Sequence, residues 1–220
     1  FLSNSLYLYL SYFSDYLLAI IFLPVVSRAL GAVEFGKVGI AQTLGILIIL
    51  FVEFGSPLIA TRKISRIKSD KVSLKNFVSE ITTFKICLIP IVLIVTSIIV
   101  FFTPTLKSNL NYVAIVFFGS FFQGIAPIWY FHGIQNMRII AFTKLIFRLM
   151  AFIIIFYFVK NSNDGWIVLS AFSASSGLIC FFLFFLMLKQ IGVIKLKFSN
   201  SFNLLIKSIP SFLITIFPII

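Results

Sequence analysis

The sequence predicts an all-α membrane protein, a six-helix transmembrane bundle followed by the start of a seventh helix. Three observations carry that expectation. Hydrophobic residues fill 60% of the 220 positions and charged residues only 11%, where ordinary soluble domains carry about a quarter charged. The apolar residues fall in runs of about 20, the length a helix needs to cross a roughly 30 Å hydrocarbon core. The 18 Lys and Arg against 6 Asp and Glu, a net +12, are gathered in alternate connections between those runs.

The first run, Leu6 to Val26, has no basic segment before it and is too long for the apolar part of a secretory signal, so it is expected to remain as a span. Asp15 lies near its centre with Ser11 one helical turn earlier, on the same face. Pro24 is expected to kink this helix or end its regular hydrogen bonding. The second run is Val38 to Ile59, with Glu53 about two turns from its end. The third is Thr82 to Phe102, the fourth Tyr112 to Phe131, the fifth Phe142 to Val159 with Arg148 inside it, and the sixth Trp166 to Leu188.

A seventh run begins near Leu204. Residues 1–203 therefore read as one six-helix bundle and 204–220 as the start of a further helix, within what is expected to be a longer protein. The connections are short except for Ala60 to Ile81 and Lys189 to Asn203, both read as loops.

Positively charged connections stay in the cytoplasm. The second connection holds Arg62, Lys63, Arg66, Lys68, Lys71 and Lys75, with Lys85 just inside the next span. The fourth holds Arg138, Lys144 and Arg148, and the sixth Lys189, Lys195, Lys197 and Lys207. The intervening connections carry only Arg28, Lys37, Lys107 and Lys160. The alternation predicts a multi-pass protein with a cytoplasmic N-terminus, and it accounts for the positive charge without nucleic acid as a partner. Anionic lipid headgroups suffice as partners for the basic run from Ala60 to Ile81.

A charge at the middle of a span costs about 3 kcal/mol on insertion scales, so it faces a cavity or a partner. Asp15 is the clearest case, with Ser11 beside it. Glu53 and Arg148 lie at similar depths and are candidates to pair. No phosphate-binding glycine loop, zinc-binding His pair, nucleophile elbow or metal-ligand carboxylate pair is present. No metal or cofactor is therefore expected. Cys87 and Cys180 lie in apolar segments without metal-ligand spacing and read as buried thiols. The lone His132 reads as an interfacial imidazole, and Trp129, Tyr130 and Phe131 beside it as an aromatic belt at headgroup level.

Three stretches resemble one family. "FLPVVSRALGAVEFGKVGIAQ", Phe22 to Gln42, is similar to the first-loop motif of Wzx-type O-antigen flippases. "FVEFGSPLIATRKIS", Phe51 to Ser65, resembles that family's second-span ending, and "PIWYFHGIQNMRII", Pro127 to Ile140, its fourth-span ending. In the last stretch His132 stands where glutamine is expected and Gln135 where glutamate is, which removes a carboxylate partner for Arg138.

The resemblance implies the multidrug, oligosaccharidyl-lipid and polysaccharide exporter superfamily, whose members join two six-helix bundles around a central cavity and work by alternating access. It implies an undecaprenyl-diphosphate-linked oligosaccharide as substrate, flipped across the bacterial inner membrane. Membrane lipid and other polysaccharide assembly proteins would be partners. On this reading Arg28, Arg62, Arg138, Lys144 and Arg148 are candidates for the anionic diphosphate, because arginine binds phosphate oxygens in bidentate fashion. Asp15, Ser11 and Glu53 are candidates for an ion-coupling network. A transporter without covalent chemistry leads. A membrane enzyme of the same pathway, a polymerase or acyltransferase, needs a larger outward loop than any here. A drug exporter preferring cations is opposed by the basic mouth.

Overall fold

A computed structural model describes residues 2–195 and 208–213, with side chains for residues 20, 22–195 and 208–213. Between residues 2 and 195 the chain forms nine helices: α1 (Leu2–Glu53), α2 (Ser56–Ile67), α3 (Lys71–Cys87), α4 (Ile89–Phe102), α5 (Pro104–Lys107), α6 (Leu110–Ile125), α7 (Ile128–Gly133), α8 (Met137–Phe158) and α9 (Gly165–Ile191). Residues 208–213 are also helical.

Five stretches among the described residues are long and apolar enough to cross a membrane: Phe22–Glu53, Lys71–Phe102, Leu110–Gly133, Met137–Phe158 and Gly165–Ile191. The protein is thus an all-α, multi-pass membrane protein. The side chains of most of the Leu6 to Val26 run lie outside the described residues.

The first helix runs through Pro24 with helical dihedrals and breaks instead at Gly31, where φ is 71° and ψ 171°. That region of backbone space is open essentially to glycine alone. Ser27 Oγ donates to the Pro24 carbonyl at 3.2 Å. Residues on both sides of Gly31, among them Val26 and Val38, face the same internal space.

The helix over Val38 stops at Glu53, short of the expected Ile59, because Phe54 (φ 41°) and Gly55 (φ 68°) turn left-handed. The chain from Ala60 to Ile81, expected as a loop, is instead the body of α2 and the first turns of α3. Ser56, Ala60 and Ile64 recur every four residues in α2 and are buried, while Arg62, Lys63 and Arg66 are exposed. Asp70 caps α3: its carboxylate accepts from Val72 N at 3.0 Å, Ser73 N at 3.3 Å and Ser73 Oγ at 2.5 Å. Those donors, the Ser73 hydroxyl first, hold its carboxyl below the usual aspartate range.

The fourth run is also broken. Pro127 has no N–H to continue α6, so the helix ends at Ile125 and α7 restarts at Ile128. Two apolar cores result. One joins α1, α6, α8 and α9 around Ala41, Leu44, Ile48, Ala151 and Leu169. The other gathers α2, α3, α7 and α9 around Ile64, Phe77, Phe84, Phe131 and Leu183.

Trp129, Tyr130 and Phe131 belong to this second core with exposures of 2%, 2% and 0%, which corrects their reading as a headgroup belt. The cause is α2, which folds back over α7. Thr61 Oγ1 donates to the Trp129 carbonyl at 3.4 Å, and a Cβ on Gly133 would stand 2.5 Å from Ile64. Tyr130 keeps its hydroxyl satisfied by donating to Gln190 Oε1 at 2.9 Å.

Candidate functional site

A cavity of about 520 Å³ lies between α1, α6, α8 and α9, with Ala126 and Ile128 at its edge. Its walls are mostly apolar, formed by Phe22, Val38, Ile49, Phe152, Leu169 and Phe172 among others. Small residues let the helices close around it. A Cβ on Gly45 of α1 would stand 2.6 Å from Ser120 Oγ of α6, and one on Gly119 would collide with Ser173 of α9.

Into this apolar space α8 sends two cations. Lys144 and Arg148 are one helical turn apart, so they share a face, and both are half-buried cavity-lining residues. Arg148 Nη2 donates to Gln123 Oε1 at 3.4 Å, and its guanidinium lies 5.3 Å from the centroid of the Phe172 ring. Ser176 Oγ has one proton and two acceptors in reach, the same Gln123 oxygen at 3.2 Å and the Phe172 carbonyl at 3.0 Å. Gln42, Ser120 and Ser173 complete the polar lining. Two cations with hydroxyls and amides between apolar walls are chemically suited to an anionic group.

The other sequence candidates are placed differently. Arg28, Arg62 and Arg138 are exposed and do not line the cavity, Arg138 lying 5.6 Å from the Phe142 ring centroid. The side chains of Asp15 and Ser11 fall outside the described residues. Glu53 is half-buried, and its electrostatic neighbours are Lys85 and Lys144, not the Arg148 expected from depth alone. His132 is half-buried with Nδ1 3.0 Å from Met137 Sδ, away from the cavity lining. Cys180 is buried as expected, whereas Cys87 is exposed. Lys85, two residues earlier and so about 200° round the helix, takes the inward face instead. Among the described residues no group of three or more His, Cys, Asp or Glu is placed to hold a metal ion.

The whole chain, residues 1–220, matches the family described as polysaccharide biosynthesis protein. The chain belongs to that polysaccharide biosynthesis family. Among curated relatives it is similar to a protein of Escherichia coli (strain K12) named "Putative O-antigen transporter", 31% identical over 175 residues, which cover 79% of this chain and 41% of the relative. It is also similar to a protein of the same name from Shigella dysenteriae, 28% identical over 177 residues, covering 80% of this chain and 43% of that one. The chain thus spans less than half the length of the curated relatives it matches. No solved structure matches it significantly.

In this member of the polysaccharide biosynthesis family, sequence reasoning passes over three side chains. Gln123 is one, since an amide inside an apolar run announces no partner. Lys85 is another: in the sequence it reads as an orientation signal, yet it is 2% exposed. The third is Glu34, near Gly31, which accepts from Lys37 Nζ at 2.9 Å and from the Tyr112 hydroxyl. Lys85 follows Thr82, Thr83 and Phe84 and precedes an apolar run from Ile86, and a lysine at the start of such a run is the available signal.

Proposed function

We propose that the chain is the N-terminal six-helix bundle, residues 1–203, of a two-bundle alternating-access exporter, with 204–220 opening the second half. It flips undecaprenyl-diphosphate-linked oligosaccharide repeat units across the bacterial inner membrane for O-antigen or other surface polysaccharide. The N-terminus is cytoplasmic in this reading. The observation that carries it is the pair Lys144 and Arg148, one turn apart on α8 and both lining an apolar-walled cavity. A diphosphate cannot cross hydrocarbon unaided, and fixed cations beside neutral donors offset the loss of its water. The family and the relatives named as O-antigen transporters support the same reading.

In this mechanism the diphosphate is held by Arg148 and Lys144 while Gln123 and Ser176 orient the guanidinium. Arg62 and Arg138, exposed on the chain's most basic end, meet the anionic headgroup before it reaches the cavity, and Arg28 meets it on leaving. Glu53, and Asp15 with Ser11, serve ion coupling. Deleting the full-length gene should leave undecaprenyl-linked repeat units on the cytoplasmic side. Unchanged surface glycan in that strain would sink the reading.

A further inference from the structure

Lys85 is among the largest fully buried side chains of the described residues, and its charge is unusual company for that core. Its Nζ donates to the Gly124 carbonyl at 2.6 Å. It lies 5.9 Å from the centroid of the Trp129 ring, and the Glu53 carboxylate acts on it electrostatically. Glu53 is also in electrostatic reach of Lys144 from α8.

These partners mark two helix ends. Glu53 is the last residue of α1, immediately before the left-handed Phe54 and Gly55. Gly124 is the last but one of α6, one residue short of the Ala126 and Pro127 break. The two ends adjoin, since a Cβ on Gly124 would stand 2.7 Å from Val52 Cγ1. The C-terminus of a helix carries partial negative charge and carbonyls without intrahelical partners. Gly124 illustrates this: the N–H that would normally answer its carbonyl, that of Ile128, bonds to Ala126 O at 2.8 Å instead.

Broken transmembrane helices use such C-terminal ends to bind small cations, and an intramembrane carboxylate beside them adds a counter-charge. Here a lysine from a third helix occupies that position. We infer that Lys85 is the tethered occupant of a monovalent-cation site built from the C-terminal ends of α1 and α6, and that it fixes Gln123 in the cavity wall. Gln123 is the residue before Gly124, so holding the Gly124 carbonyl holds the turn that aims the Gln123 amide at Arg148. Lys85 is a positioning residue, and the inference is independent of what the cavity carries.

The test uses the purified full-length protein in detergent, read by thermal melting. Lys85→Ala should lower the melting temperature by several degrees and open a vacant site. n-Propylammonium should then restore most of the loss in a saturable way, with no effect on wild type, and adding Glu53→Gln should abolish the rescue. Lys85→Met, which fills the space without charge, should be destabilised and unrescued. Glu53→Gln combined with Lys85→Met should be more stable than Lys85→Met alone, because the stranded carboxylate is gone. That comparison also decides the matter if Lys85→Ala does not fold. A folded Lys85→Ala that ignores propylammonium, or a Lys85→Met as stable as wild type, overturns the inference.

Discussion

Arg148 and Gln123 are joined across the cavity by a hydrogen bond of 3.4 Å, and Ser176 shares the same amide oxygen at 3.2 Å. The arginine bond is longer than the usual 2.7 to 3.2 Å for N–H donors, so it orients the guanidinium while a phosphate oxygen can readily displace it. Replacing that neutral acceptor with a carboxylate changes the competition. Gln123→Glu should pair permanently with Arg148 and reduce glycan export about tenfold or more. Gln123→Ala should cost less, since it removes only the orienting bond. Export measured in a deletion strain complemented by each variant checks this, and wild-type export by Gln123→Glu would refute it.

The cavity cations should matter more than cations outside it. If the substrate takes one charge-assisted bond from Arg148, worth about 1.5 to 3 kcal/mol, Arg148→Ala should lower its affinity roughly tenfold to a hundredfold. Arg148→Lys should recover part of it, because a point charge replaces the bidentate fork. Lys107 is exposed, 5.4 Å from the centroid of the Phe101 ring, and Lys107→Ala should leave export unchanged. Equal losses in Arg148→Ala and Lys107→Ala would remove the case for a cationic path.

What the sequence made legible, and what it hid, follows from the range of each interaction. Apolar run length made the long apolar helices legible because it depends only on neighbours along the chain. The place of Arg148 within the fifth such run was legible for the same reason. Its partner was not: Gln123 is on another helix, and Glu53 interacts electrostatically with Lys85 and Lys144 rather than with the Arg148 that depth along the sequence suggested. The basic run after Ala60 hid a helix, since its charges read as solvent-facing loop while Ser56, Ala60 and Ile64 drew one narrow buried stripe. Once α2 exists it covers Trp129 and Phe131, and a tryptophan at a span end cannot by itself reveal that cover.

Gly55, in the turn between α1 and α2, should be intolerant of any side chain. Gly55 has φ 68°, and a Cβ there would stand 2.5 Å from Phe212 N and 2.8 Å from the Ser208 carbonyl, both backbone atoms. Phe212 also stacks on Phe54 with centroids 4.2 Å apart. Gly55→Ala combines a left-handed penalty of about 1 kcal/mol or more with displacement of residues 208–213. Gly36→Ala, with nothing within 4 Å, is the control. Thermal melting of the full-length protein should show a clear loss for Gly55→Ala and almost none for Gly36→Ala. Similar melting of both variants would show that residues 208–213 do not rest on this turn.

The start of α3 should loosen in acid, and Asp70 is the reason. Its carboxyl is held below the ordinary aspartate range by the Ser73 hydroxyl and the backbone N–H groups of Ser73 and Val72. A depressed value means that the carboxylate form is favoured by folding, so the cap is fully present above the unfolded-state pKa. It is lost as the pH falls through the lower folded-state value. Protonation weakens an acceptor whose three donors come from the first turn of the helix. Amide exchange at Val72 and Ser73, corrected for the intrinsic rate, should therefore lose protection in wild type on acidification below the aspartate range. An amide side chain keeps an uncharged N-cap acceptor, so Asp70→Asn should hold its protection across the same range. Asp70→Ala should be unprotected at every pH. An Asp70→Asn variant that loses protection in parallel with wild type would mean that another group, and not this cap, governs the acid response of α3.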